Sequence, residues 1–119
     1  MKCIMSVDVG GTDIKFGKFI DQACVAKDRI PTNKSDDGKH ILDEIFSHVR
    51  LMVGDDQLIA IGIGIPGPVV EGVVLGAQNL RWKETNVKDI MEKEFPNIPC
   101  TVLNDANAAT LGELIYGGG

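Results

Sequence analysis

The 119-residue chain is 44% hydrophobic and 24% charged, the balance of one soluble globular domain large enough to bury a core without staples. Its formal net charge of -5, spread evenly along the chain, leaves no basic patch for nucleic acid and no acidic tail. No apolar run reaches membrane-spanning length and no basic-then-apolar leader opens the chain, so a cytoplasmic protein with no membrane partner is expected.

Residues 2–9 (KCIMSVDV) form an apolar run that ends on Gly10-Gly11, which predicts a buried strand and its exit turn. Residues 14–20 and 23–30 follow as second and third strands, with Asp21-Gln22 as the turn between them, so the chain opens with an antiparallel meander. The polar stretch 31–39 reads as a surface loop leading to a helix cap at Ser35 or Asp36. Ile41, Ile45, Val49 and Met52 then mark one stripe of a helix over 38–53, with Gly54 as its stop.

Residues 58–65 (LIAIGIGI) predict a parallel strand buried on both faces and ended by Pro66-Gly67-Pro68. Val69-Val70 and Val73-Val74 flank Glu71-Gly72 as a small hairpin. Thr85 or Asn86 caps a helix to Phe95 that turns Val87, Ile90, Met91 and Phe95 inward. A strand over 100–103 and a third helix over 105–116 complete the order. The closing Gly117-Gly118-Gly119, with no strand after it, reads as a cut in a longer protein. A meander followed by crossover helices implies an α/β fold with a mixed five-stranded sheet and flanking helices. Cys3, Cys24 and Cys100 are isolated, which predicts buried reduced thiols rather than a disulfide or metal site.

Three segments carry chemistry. In Asp8-Val9-Gly10-Gly11-Thr12-Asp13-Ile14-Lys15, two glycines permit positive φ and close approach. Successive N–H groups there can converge on a phosphate, with the Thr12 hydroxyl beside them and Asp8 able to hold magnesium. A plain hairpin turn accounts for the same residues. In Leu103-Asn104-Asp105-Ala106-Asn107, a buried strand hands an Asn-Asp pair to a helix start, at the strand end where α/β folds bind ligands. Asp105 there can act as a general base and Asn104 can bond sugar hydroxyls, although a helix cap alone would also explain Asp105. In Gly62-Ile63-Gly64-Ile65-Pro66-Gly67-Pro68, spaced glycines thin one strand face and the turn offers a rigid pocket edge, or simply a tightly packed strand and its turn. His40, Glu44 and His48 recur at helical spacing, which suits a solvated face better than a metal site. Trp82, the only tryptophan, is a hydrophobic anchor or the floor of a sugar pocket.

Taken together, DVGGTDIKFG, GIGIPGPV and LNDANAATLGE resemble, in order, the phosphate, central and catalytic motifs of the ROK family of sugar kinases (repressors, unannotated frames and kinases). The resemblance spans nearly the whole chain. It implies a ribonuclease-H-like (actin-like ATPase) lobe and ATP-dependent phosphorylation of a hexose hydroxyl, with glucose the commonest substrate. By motif position Asp105 would be the general base, and Asn104 and Gly67 would line the sugar site with it. Gly10, Gly11, Thr12 and Lys15 would meet the ATP phosphates, with Asp8 near Mg2+.

Residues 1–119 would then be the amino-terminal lobe of a two-lobe kinase. The absent lobe would carry the adenosine site, a structural zinc segment and the contacts of any homodimer, so these residues alone would turn over sugar poorly. Asp13 departs from the Asn common in this family and adds a negative charge near the phosphates. ROK transcriptional regulators that sense sugar share the lobe but carry a helix-turn-helix ahead of the first strand, which this sequence enters at once. A non-sugar actin-like ATPase is a third possibility, disfavoured by the Asn104-Asp105 pair and the Pro66-Gly67-Pro68 turn.

Overall fold

The computed structural model describes residues 1–104; Asp105 and the expected third helix lie outside the described residues. Strands β1 (Lys2–Val9), β2 (Asp13–Ile20) and β3 (Ala23–Pro31) form the expected antiparallel meander. A short turn α1 (Ser35–Gly38) and helix α2 (Ile41–Val53) lead to β4 (Gln57–Ile65). After the hairpin β5 (Val69–Val70) and β6 (Val73–Val74) come β7 (Thr85–Asn86), α3 (Val87–Glu94) and β8 (Cys100–Asn104). The main sheet has five strands in the order β3-β2-β1-β4-β8, with β1, β4 and β8 mutually parallel.

Register explains the core. Val7 lies opposite Phe16 on β2 and Ile63 on β4, and Ile63 lies opposite Val102 on β8. Paired residues share a sheet face, so these side chains form one apolar surface. Helices α2 and α3 cover it: Ile41, Ile45, Val49, Val87 and Met91 are all fully buried against it. Phe46 and Phe95 meet edge-to-face at 5.9 Å where the two helices touch, and the Arg50 guanidinium lies 4.8 Å over the Phe95 ring. Lys18 is on the same face but at its rim, where it donates to Asp56 at 2.6 Å and to the Val53 carbonyl at 3.2 Å.

Four local expectations change. Helix α2 begins at Ile41, not Gly38, because Asp36, Asp37 and Gly38 all take left-handed φ (52°, 59° and 73°) and cannot continue a right-handed helix. Neither Ser35 nor Asp36 caps it. Asn86 does cap α3, accepting from the Asp89 N–H at 3.0 Å, but it also ends β7, which turns the 69–74 hairpin into a three-stranded sheet. Strand β4 is buried on both faces only from Ile61 to Ile65, since Gln57 and Ile59 are exposed. Cys3 and Cys100 are buried, whereas Cys24 is exposed on β3, which among the described residues is flanked by β2 alone.

Candidate functional site

Because β1, β4 and β8 are parallel, their carboxyl ends emerge along one edge of the sheet. Asp8, Gly64 and Leu103 form one register row across them, and Ile65 pairs with Asn104 in the next row. Strands sit ~4.8 Å apart, so the Asp8 backbone lies about 10 Å from that of β8. The meander brings a fourth end to the same edge. β3 is antiparallel to β2 and therefore runs with β1, so Thr32 reaches the β1–β2 turn.

That turn is closed by the Gly10 N–H donating to the Asp13 carbonyl at 2.9 Å. A Cβ on Gly10 would come within 2.8 Å of the same carbonyl oxygen, which is why glycine stands there. Space, rather than positive φ, is the requirement: neither Gly10 nor Gly11 has positive φ. Thr32 braces the turn twice, its N–H donating to the Thr12 carbonyl at 2.8 Å and its hydroxyl to the Gly10 carbonyl at 2.7 Å. With the Gly10 amide engaged, the Gly11 and Thr12 amides, which have no backbone partner among the described residues, and the exposed Thr12 hydroxyl are the donors this turn would offer to an anion.

Lys15 lies directly opposite Asp8 in the β1–β2 register, on the same face, with its side chain exposed. Asp13 approaches Arg29 at 3.6 Å, so the carboxylate that departs from the family pattern is offset by a neighbouring guanidinium. Asp8 would offer a hard cation one carboxylate oxygen donor at this edge. Among the described residues no group of three His, Cys, Asp or Glu could hold a metal by itself.

The second half of the edge is a cleft of about 440 Å³ lined by Pro66, Gly67, Pro68, Leu75, Gly76 and Gln78. Its centre is a backbone crossing. A Cβ at Gly67 would lie 2.3 Å from the Gly76 carbonyl oxygen, so only glycine lets the two segments pass this closely. The Gly67 carbonyl accepts from Asn104 Nδ2 at 2.5 Å, which ties the central turn to the end of β8. Gly67 and Asn104, from separate motifs, are thus in direct contact. Asp8, Gly10, Gly11, Thr12 and Lys15 share their sheet edge.

Sequence reasoning missed Thr32, Arg29, Gly76 and Gln78. The parity of the meander signals the first two, since it returns the end of β3 to the end of β1. For Gly76 and Gln78 no local pattern exists, because the Pro66–Pro68 turn that shares their cleft arrives from across the hairpin.

The histidine stripe has local partners. His40 bonds Asp36 at 2.8 Å, while His48 bonds Asp28 at 3.0 Å and packs on the Phe16 ring at 4.5 Å. Trp82 packs beside Gly38 and donates from Nε1 to its carbonyl at 2.9 Å. At the foot of β8, burial pushes the Cys100 thiol up to about 12. Glu92 accepts from Lys88 Nζ at 2.9 Å and from the Cys100 N–H at 3.3 Å, and these bonds hold its carboxyl below the ordinary value.

Residues 4–119 match the sequence pattern of the ROK family. The chain belongs to the ROK family. It is 39% identical over 124 residues to a glucokinase of Halalkalibacterium halodurans, covering 97% of this chain and 37% of that protein. Its fold matches the ROK family glucokinase from Streptomyces griseus in complex with glucose and AMPPNP with a TM-score of 0.78 at 32% identity, over 97% of this chain and 37% of that one. A putative xylose repressor of Caldicellulosiruptor sp. is 43% identical over 63 residues, 51% of this chain and 16% of that protein. The ROK chain therefore spans little more than a third of the length of the glucokinases it matches. Its α/β architecture, with the five-stranded mixed sheet, is that of the actin-like ATPase lobe of ROK sugar kinases. No helix among the described residues is long and apolar enough to cross a membrane.

Proposed function

We propose that this chain is the amino-terminal, sugar-facing lobe of a two-lobe ROK kinase that transfers phosphate from ATP to a hexose hydroxyl. The observation that carries the reading is the Asn104–Gly67 bond, which joins two motif segments at the carboxyl edge of the sheet beside the Gly10–Thr12 turn. The glucokinase relatives support the reaction class.

In this reading the hexose sits over Gly67 and Pro68, with the Asn104 amide oriented by the Gly67 carbonyl to bond its hydroxyls. Asp105, the next residue along the chain, takes the proton from the attacking hydroxyl, a role worth ~10²–10⁴ in rate. The Gly11 and Thr12 amides, the Thr12 hydroxyl and Lys15 receive the phosphates of ATP. Asp8 would hold Mg2+, whose charge would offset that of the phosphates. Phosphoryl transfer asks chiefly for positioning and charge compensation, and a site of turns with one base supplies both.

The test follows hexose phosphate formation by phosphorus NMR in the full-length protein, with Asn104→Ala beside it. The reading expects a hexose-dependent product signal, with the KM for hexose raised in the variant. Hexose binding without any product would instead favour a sugar-sensing regulator, the class to which the xylose repressor relative points.

A further inference from the structure

One wall of the cleft beside Gly67 is supplied by residues that themselves lie in no strand. Gly76 and Gln78, which supply that wall, flank Ala77 in a loop that closes on itself between Ala77 and Trp82. The closure is a two-bond backbone pair: the Ala77 N–H donates to the Trp82 carbonyl at 3.2 Å, and the Trp82 N–H returns to the Ala77 carbonyl at 3.0 Å. Ala77 and Leu80 are sunk in the core. The loop is held at its far end by the Trp82 side chain, whose indole N–H bonds the Gly38 carbonyl at 2.9 Å.

The seat for that indole is unusual backbone. Asp36, Asp37 and Gly38 are consecutively left-handed, a conformation that two L-residues keep only when their surroundings hold them. Gly38 is fixed by contact as well as by its φ of 73°. A Cβ there would lie 2.2 Å from the Leu80 carbonyl oxygen and 2.8 Å from Trp82 Cδ1 and Nε1. The 34–39 turn and the 76–82 loop are therefore locked face to face.

We propose that Trp82 is a positioning residue for hexose binding, which it serves by fixing, through its seat on Gly38 and its pairing with Ala77, the cleft wall of Gly76 and Gln78. The proposal rests on the hexose-kinase reading above. Trp82 lines no part of the Gly67 cleft and meets the sugar only through that wall.

Trp82→Phe keeps an aromatic ring and removes the donor to Gly38. In the full-length enzyme it raises the KM for hexose by about 3- to 10-fold, the cost of one lost, partly buried hydrogen bond, and leaves kcat and the KM for ATP unchanged. A merely structural tryptophan gives the opposite split, less active protein at unchanged hexose KM, and that result overturns the proposal.

Hydrogen exchange on the wild type gives an independent readout should the variant not fold. Saturating hexose slows exchange in segments 34–39 and 76–82 together. Protection that stops at Gln78 and leaves 34–39 untouched also overturns the proposal. Failure of the kinase reading is separately visible as a wild type with no hexose-dependent turnover, and where hexose also protects no segment the positioning role falls with it.

Discussion

Gly67→Ala isolates the backbone crossing on which the cleft is built. Gly67 has no positive φ, so alanine is acceptable to its backbone and the whole effect is steric. The new Cβ would stand 2.3 Å from the Gly76 carbonyl oxygen, about 1 Å short of ordinary contact. Neither side can yield through a flexible side chain. The Pro66–Pro68 turn is bounded by two prolines, and Gly76 precedes the paired, buried Ala77.

Overpacking of this kind costs ~1–3 kcal/mol. If the turn retreats, the Gly67 carbonyl leaves Asn104 and a further ~0.5–1.5 kcal/mol goes with that bond. The sum, about 1.5–4.5 kcal/mol, lowers the urea midpoint by about 1–2 M at a slope of about 2 kcal/mol/M. Gly76→Ala is the matched control. Among the described residues its Cβ would meet nothing nearer than the Trp82 carbonyl oxygen at 4.0 Å, so its midpoint stays close to the wild type. Equal midpoints for the wild type and Gly67→Ala would refute the reasoning.

Two further predictions concern ionisation. Hydrogen bonds from Lys18 and the N-terminus hold Asp56 below its ordinary value of 3.8, and those from Lys88 and the Cys100 amide hold Glu92 below its ordinary value of 4.5. The unfolded chain therefore binds more protons than the folded one in this range. The stability these carboxylates contribute is complete above their ordinary values and is lost as pH falls through the lower folded ones. Urea midpoints measured from neutral pH into the acid range should fall steeply below pH 4.5, and less steeply in Glu92→Gln. Brief alkylation at mild alkaline pH, read by peptide mass spectrometry, should label exposed Cys24 first. Cys3 and Cys100 stay unmodified, being buried, with their thiols raised by that burial.

Much of this fold was legible because its signals are local. The apolar run of residues 2–9, the stripe from Ile41 to Val49 and the Asn86 cap each lie within one element, and the structure follows them. What escaped depends on contacts distant in sequence. The left-handed run at Asp36–Gly38 is set by Leu80 and Trp82, more than 40 residues away, so a local helix cap was the natural reading. β7 exists because Thr85 and Asn86 pair with β6, a partner that a capping pattern does not announce. Cys24 reads as apolar among Ala23, Val25 and Ala26, yet among the described residues β3 has only β2 beside it, and Ala23 to Arg29 are all exposed.

The candidate site divides in the same way. Gly67 and Asn104 were marked by their motifs and do meet, and Asp8 and Gly10–Thr12 share their edge. Which amide of the turn is already engaged, and which loop forms the opposite wall of the cleft, are properties of the fold alone.

The central claim is phosphoryl transfer to a hexose with Asp105 as base. The most direct test is ADP production by the full-length protein with ATP, Mg2+ and a panel of hexoses, beside Asp105→Asn. The account predicts turnover that requires one or a few hexoses and falls by ~10²–10⁴ in the variant. Turnover indifferent to every hexose, or undiminished in Asp105→Asn, would contradict it.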